Sequence, residues 1–158
     1  MTFLEERFSL WENFKNEYNF YFIKKEDIKN LDEKIDKNLL ILPFPYEDEY
    51  LKILRNFALK DIYSEVLNLF YFIKREFDFF DDKVYKYILD HKNDILTIKV
   101  YDFKLKEVKE FNDRVFTPIG IKEYLFFNGF KVKDLWGDIP KEKIRENDKF
   151  ITLRFEKL

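Results

Sequence analysis

Chemistry in this chain must be done with one histidine, two serines and no cysteine. Without cysteine there is no disulfide, no thiolate nucleophile and no Cys-type zinc site. His91 stands alone, so neither a histidine metal cluster nor a histidine dyad can form within the chain. It reads as a surface residue at the end of a short helix. Ser9 and Ser64 lie outside any nucleophile-elbow context. The acidic groups Glu47-Asp48-Glu49 and Asp78, Asp81, Asp82 offer oxygen ligands of the kind that Mg²⁺ and Ca²⁺ take. Carboxylates at helix starts also offset the macrodipole, which is the simpler reading. Arg114 could meet a ligand anion, but an ion pair fixing its loop is the plainer account. Trp136 reads as packing and Asp138 as turn-forming. No catalytic residue and no metal site follow from these residues.

Glycine says more. The three glycines are Gly120, Gly129 and Gly137, so positions 1–119 contain none. A loop that wraps a phosphate or an amino-acid carboxylate needs backbone N–H groups close to the ligand and residues at positive φ, which glycine adopts without strain. None of the three lies in a strand, Gly-x-Gly, helix context.

A chain of 158 residues with 46% hydrophobic and 20% aromatic side chains forms one domain with a substantial core. Most of its 20 Phe and 10 Tyr alternate with charge and are expected to pack in the core or half-buried. The net charge of −2 shows no basic excess, so nucleic acid is not expected as a main partner. No apolar run approaches the length of a membrane span, and the acidic start is not a signal peptide. A soluble cytoplasmic protein is expected. The wealth of Lys and Glu fits a thermophile, and an AT-rich genome would produce the same bias.

Periodicity predicts an N-terminal helix over 3–17, a strand over 19–23 and a short helix or turn within 25–37. The run Leu39–Phe44 predicts a strand buried on both faces and ended by prolines. A helix is expected over 47–67, with a break near 59–61, and another over 82–91. Ile95–Phe103 and Leu105–Phe111 alternate around Lys104 and read as a hairpin. Thr117 caps a helix with Pro118 in its first turn, and Gly129 closes it. Strands follow at 130–136 and 150–155. Alternating strands and helices with buried strands imply a three-layer α/β sheet.

The phrase R-V-F-T-P-I-G-I-K-E-Y-L-F-F-N-G-F-K-V-K-D-L-W-G-D, residues 114–138, followed by F-I-T-L-R-F, resembles the end of class I S-adenosylmethionine-dependent methyltransferases. There an Arg-x-[Phe/Tyr]-Thr phrase opens the last helix, a Gly-Phe-x-Val turn ends it and two antiparallel strands close the sheet. The resemblance extends more weakly to residue 19. F-Y-F-I-K-K-E-D-I and N-L-L-I-L-P-F look like the third and fourth strands. A-L-K-D-I-Y-S-E-V-L-N-L-F-Y-F-I looks like the following helix and a fifth strand at 69–73.

The resemblance implies a single domain over 1–158, with an N-terminal helix in 1–18 and a methyltransferase-like portion in 19–158. It implies a truncated Rossmann-like sheet, mixed in strand direction, with a C-terminal antiparallel pair. Asp27 and Ile28 fall where the family meets the adenine, and Pro43, Phe44 and Tyr46 where cofactor methyl and substrate meet. The missing first βαβ unit and its glycine loop imply a chain that holds no cofactor by itself. The expectation is a non-catalytic module acting through a protein partner or as a homodimer. The alternative is an S-adenosylmethionine-dependent enzyme whose cofactor site another chain completes. Loss of the first strand would leave the edge of Leu39–Phe44 open, to be covered by a second chain or by the 19–23 strand.

Overall fold

The computed structural model describes residues 3–31, 37–57 and 61–158. Helix α1 (Phe3–Glu12) and the short α2 (Lys15–Tyr18) divide the expected N-terminal helix at Asn13-Phe14. Strand β1 (Phe20–Lys24) runs into a 3-10 helix over Lys25–Asn30. Strand β2 (Asn38–Leu42) pairs parallel with β1 on one side and with β3 (Ile62–Asn68) on the other. The edge of the Leu39–Phe44 run is therefore filled from within by the 19–23 segment, and the sheet itself supplies no vacancy there for a second chain.

Helix α3 (Asp48–Arg55) follows β2, with the acids of 47–49 at its start as the macrodipole favours. The expected continuation of this helix to 67 is wrong. Ile62–Asn68 is strand β3, buried at every position. The strand expected at 69–73 is instead a single turn, α4 (Leu69–Phe72), capped by the Asn68 side chain. The break expected near 59–61 lies partly outside the described residues. A strand covered on both faces loses the period-2 signature, and its apolar residues then mimic a helical set.

Strands β4 (Phe77–Phe80), β5 (Lys83–Asp90), β6 (Ile95–Asp102) and β7 (Glu107–Phe116) form an antiparallel ribbon. The helix expected over 82–91 is thus strand β5. The hairpin read around Lys104 is present as β6 and β7. The last residues of β7, Val115 and Phe116, pair parallel with Leu67 and Asn68, joining ribbon to sheet. Helix α5 (Pro118–Phe127) starts on Thr117, whose hydroxyl accepts from Gly120 N at 2.9 Å. Gly129 leaves it at φ 90°, a left-handed position suited to glycine. Strands β8 (Phe130–Trp136) and β9 (Phe150–Lys157) are antiparallel, and β9 pairs with β3. The result is the expected mixed α/β sheet with its antiparallel C-terminal pair.

Alternation assigns the faces. Leu39, Ile41, Ile62, Val66, Leu153 and Phe155 pack beneath α3 and α5. Leu40, Leu42 and Tyr63 pack beneath α1, around a wholly buried Trp11. One ribbon face forms a third cluster from Tyr87, Leu96 and Val115 with Phe72 and Phe150. The other ribbon face leaves large apolar side chains in solvent, including Phe79 at 67% exposure. The expectation that aromatics are core or half-buried holds under the helices and fails on this face. No helix among the described residues is long and apolar enough to cross a membrane.

Candidate functional site

In open α/β sheets, ligands meet the carboxyl ends of parallel strands, where loops from several strands converge. Here those ends bring together Lys25 after β1, Tyr46 and Glu47 after β2, and Asp113 and Arg114 near the end of β7. The Lys25 ammonium lies 2.8 Å from Glu47 Oε1 and 5.4 Å from the Tyr46 ring centroid. Burial alone would lower Lys25, but the hydrogen bond and charge of Glu47 outweigh it and hold the ammonium above its usual value. The Arg114 guanidinium lies over the rings of Phe116 and Tyr124, at 4.8 and 4.6 Å. These aromatic contacts hold it, and among the described residues it enters no ion pair of the kind its sequence suggests. The Tyr124 hydroxyl donates to the Tyr46 carbonyl and so ties α5 to the loop after β2.

Asp113 is the unusual member. Burial pushes its carboxyl up to about 6, against the pull of the Arg114 backbone N–H and of Lys25. A carboxyl in that range exchanges its proton near neutrality. Two buried polar atoms of the cluster, Glu47 Oε2 and Arg114 Nε, have no hydrogen-bond partner among the described residues. The arrangement can hold opposite charges side by side and pass a proton at Asp113 Oδ.

A second polar group lies where the ribbon meets β9. Asp78 accepts from the hydroxyls of Tyr71 and Tyr87, both at 2.7 Å, and pairs with Arg75 at 3.3 Å. Burial alone would raise Asp78, and these partners reverse it, leaving the carboxylate below its usual range. A cleft of about 450 Å³ opens beside it, lined by Glu6, Phe80, Tyr85, Asp102 and Lys149 among others. A cleft of about 490 Å³ lies between α5 and β8. Neither is lined by residues of the β1 or β2 ends.

No family model matches the sequence, and no curated protein matches it. Solved structures do. The CcbJ methyltransferase from Streptomyces caelestis matches with a TM-score of 0.61 at 10% identity, over 82% of this chain and 61% of that one. An S-adenosylmethionine-dependent methyltransferase from Clostridium acetobutylicum matches with a TM-score of 0.55 at 14% identity, over 82% and 62%. The chain has a methyltransferase-like fold. It spans about three fifths of the length of these structures.

Within this methyltransferase-like sheet, the residues that the resemblance placed at a cofactor part company. Ile28 is wholly buried and Phe44 is 3% exposed, both inside the core under α3 and α5. Asp27 is exposed on the 3-10 helix. Pro43 follows a cis peptide bond at the end of β2. Tyr46 alone of the five joins the polar cluster. Sequence reasoning missed Lys25, Asp113 and Tyr124 and weighed Glu47 only as a cation ligand or helix-start acid; the four meet only once β1, β2, β7 and α5 are assembled. Among the described residues no group of acids and histidine could hold a metal ion.

Proposed function

We propose that the chain is a non-catalytic methyltransferase-like module that acts through protein contact. One observation carries the reading: side chains that the resemblance sets against a cofactor, Ile28 and Phe44, are spent on the core. The absence of any glycine before position 120 supports it, because no backbone here is free to wrap the methionine end of S-adenosylmethionine. Filling of the β2 edge by β1 supports it further, since the chain's own strand takes the place beside β2.

A second reading, a methyltransferase whose cofactor site another chain completes, is favoured by the cluster of Lys25, Tyr46, Glu47 and Asp113 at the strand ends. Calorimetric titration with S-adenosylmethionine separates the two. The expected result is no binding tighter than about 100 μM, near −5.5 kcal/mol. Tighter binding by the chain alone overturns the first reading.

A further inference from the structure

Strand β8 lies at the outer margin of the sheet, paired with β9 and with no other strand among the described residues. Leu158 N donates to Gly129 O at 2.9 Å, one step beyond the Phe130–Lys157 pair, and this fixes the alternation of the ladder. Lys131 turns its amide groups inward to Glu156, so the N–H and C=O of Phe130 and Val132 point out along the free edge. An edge of this kind is a template for one more strand.

Helix α5 stands beside that edge. The cleft of about 490 Å³ between them is lined by Phe130 and Val132 from the strand and by Phe126 and Phe127 from the helix. Phe126 is 59% and Phe127 81% exposed, although a helix flank turned to water is ordinarily polar. Lys122 on the helix and Lys131 on the strand add ammonium groups to the lining, and Glu123 adds a carboxylate. Lys133 is answered by Asp61 and Glu156, whereas neither Lys122 nor Lys131 enters an ion pair among the described residues. By alternation Phe130 and Val132 share one face of the strand and Lys131 takes the other.

We infer that this edge and its cleft take an extended peptide that adds to β8 as a further strand, with apolar and acidic residues alternating along it. The inference deepens the protein-contact reading and rests on it for a partner that is protein. Each feature of the site selects one feature of that peptide. The outward amide groups of Phe130 and Val132 call for a main chain with free donors and acceptors, which neither a lipid nor a folded helix offers. The cleft between strand and helix takes the apolar side chains, every second residue. Lys131, on the other face, meets the acids between them as cross-strand neighbours, and Lys122 adds positive charge to the cleft. A basic peptide would set like charges against both.

The probe is a synthetic peptide of about ten residues alternating Val with Glu, long enough for one strand, titrated into the chain and followed through the chain's amide NMR signals. Shifts should concentrate on Phe130 to Val132 and on the facing side of α5, and saturate with a Kd below about 1 mM. The same peptide N-methylated throughout cannot donate to the edge and should not bind. Lysine in place of glutamate in the peptide should weaken binding by about tenfold, and Lys131→Glu should reverse that preference. Phe126→Asp should abolish binding with circular dichroism unchanged, while Phe79→Asp on the ribbon should leave binding as it was. No shift at β8, equal binding of the N-methylated peptide, or an unreversed preference in Lys131→Glu overturns the inference. So does a dimer whose Phe130 and Val132 amides are already protected from exchange, since the edge then belongs to a second copy. Each result is independent of the S-adenosylmethionine titration, so failure here and failure of the non-catalytic reading are told apart.

Discussion

Trp11 and Phe79 are both aromatic side chains set among charged neighbours, yet Trp11 is wholly buried and Phe79 is 67% exposed. The difference lies in the layers. The parallel sheet is covered by α1 on one face and by α3 and α5 on the other, so every residue of β3 is buried. Polar groups on that strand must then be answered one by one. Ser64 Oγ donates to Ile41 O at 2.6 Å, Glu65 accepts from Arg7 and Trp11, and Asn68 donates to Asp148 O. The ribbon is covered on one face only, and its outer residues answer to water. In this chain an aromatic residue reports burial only when the number of layers above it is known.

The largest test of that contrast deletes one aromatic from each region. Trp11→Ala removes a side chain with no exposed surface and the 2.8 Å bond from its indole N–H to Glu65, and should cost about 4 kcal/mol in urea unfolding. Phe79→Ala should stay within about 0.5 kcal/mol of wild type. Costs within about 1 kcal/mol of each other would break the comparison.

Next in size is the ion pair beneath α1. Arg7 Nε lies 2.9 Å from Glu65 Oε2, with side chains 13% and 7% exposed, and its guanidinium stacks 4.1 Å from the Phe150 ring centroid. Arg7→Ala strands a buried carboxylate and should cost about 3 kcal/mol. The double variant Arg7→Met, Glu65→Gln should recover part of that loss. A double-mutant cycle without coupling would show that packing alone holds α1 down.

Asp113 sits on the boundary between the two regions, and its effect is read from pH. Its folded value of about 6 lies above the unfolded value of ~3.9, so the folded chain binds the extra proton. Stability from this group is full below about pH 4 and is lost as pH rises through about 6. Asp113→Asn should flatten that slope and leave the variant more stable at pH 7.5 by about 2 kcal/mol. An unchanged slope between pH 4 and 7 would assign the pH dependence to other groups.

The parts of the fold legible in sequence were those fixed by local chemistry. Thr117, Pro118 and Gly129 mark both ends of α5 within a dozen residues, and β8 and β9 carry ordinary alternation. Strand β3 was illegible because its polar residues are answered from far away in sequence: Glu65 by Trp11, 54 residues distant, and Asn68 by Asp148, 80 residues distant. Strand β5 misled for the opposite reason. Its core face is Tyr85, Tyr87 and Leu89, but exposed Ile88 and half-exposed Val84 fill the gaps and counterfeit a helical spacing. The site was legible in part, at Tyr46, Glu47 and Arg114 taken singly, while Lys25, Asp113 and Tyr124 join them only from three separate elements. The cap itself can be measured: Thr117→Ala should cost about 1 kcal/mol, with helix α5 losing amide protection first.

The finest comparison deletes one hydroxyl from each region. Ser64 is wholly buried on β3, and Ser64→Ala leaves Ile41 O short of a donor at a cost of about 1 kcal/mol. Thr97 lies on the outward face of β6, where its hydroxyl donates to Asn112 Oδ1 at 2.7 Å in an exposed setting. Thr97→Val keeps the β-branched shape that suits a strand, and water takes over the bonds of Asn112. Its cost should therefore fall within about 0.3 kcal/mol of zero, with either sign. Both variants should be unfolded well below micromolar protein, where copies stay apart and only the chain's own layers are felt. A loss at Thr97 equal to that at Ser64 would mean that the ribbon's outer face is not water-covered even in the isolated chain.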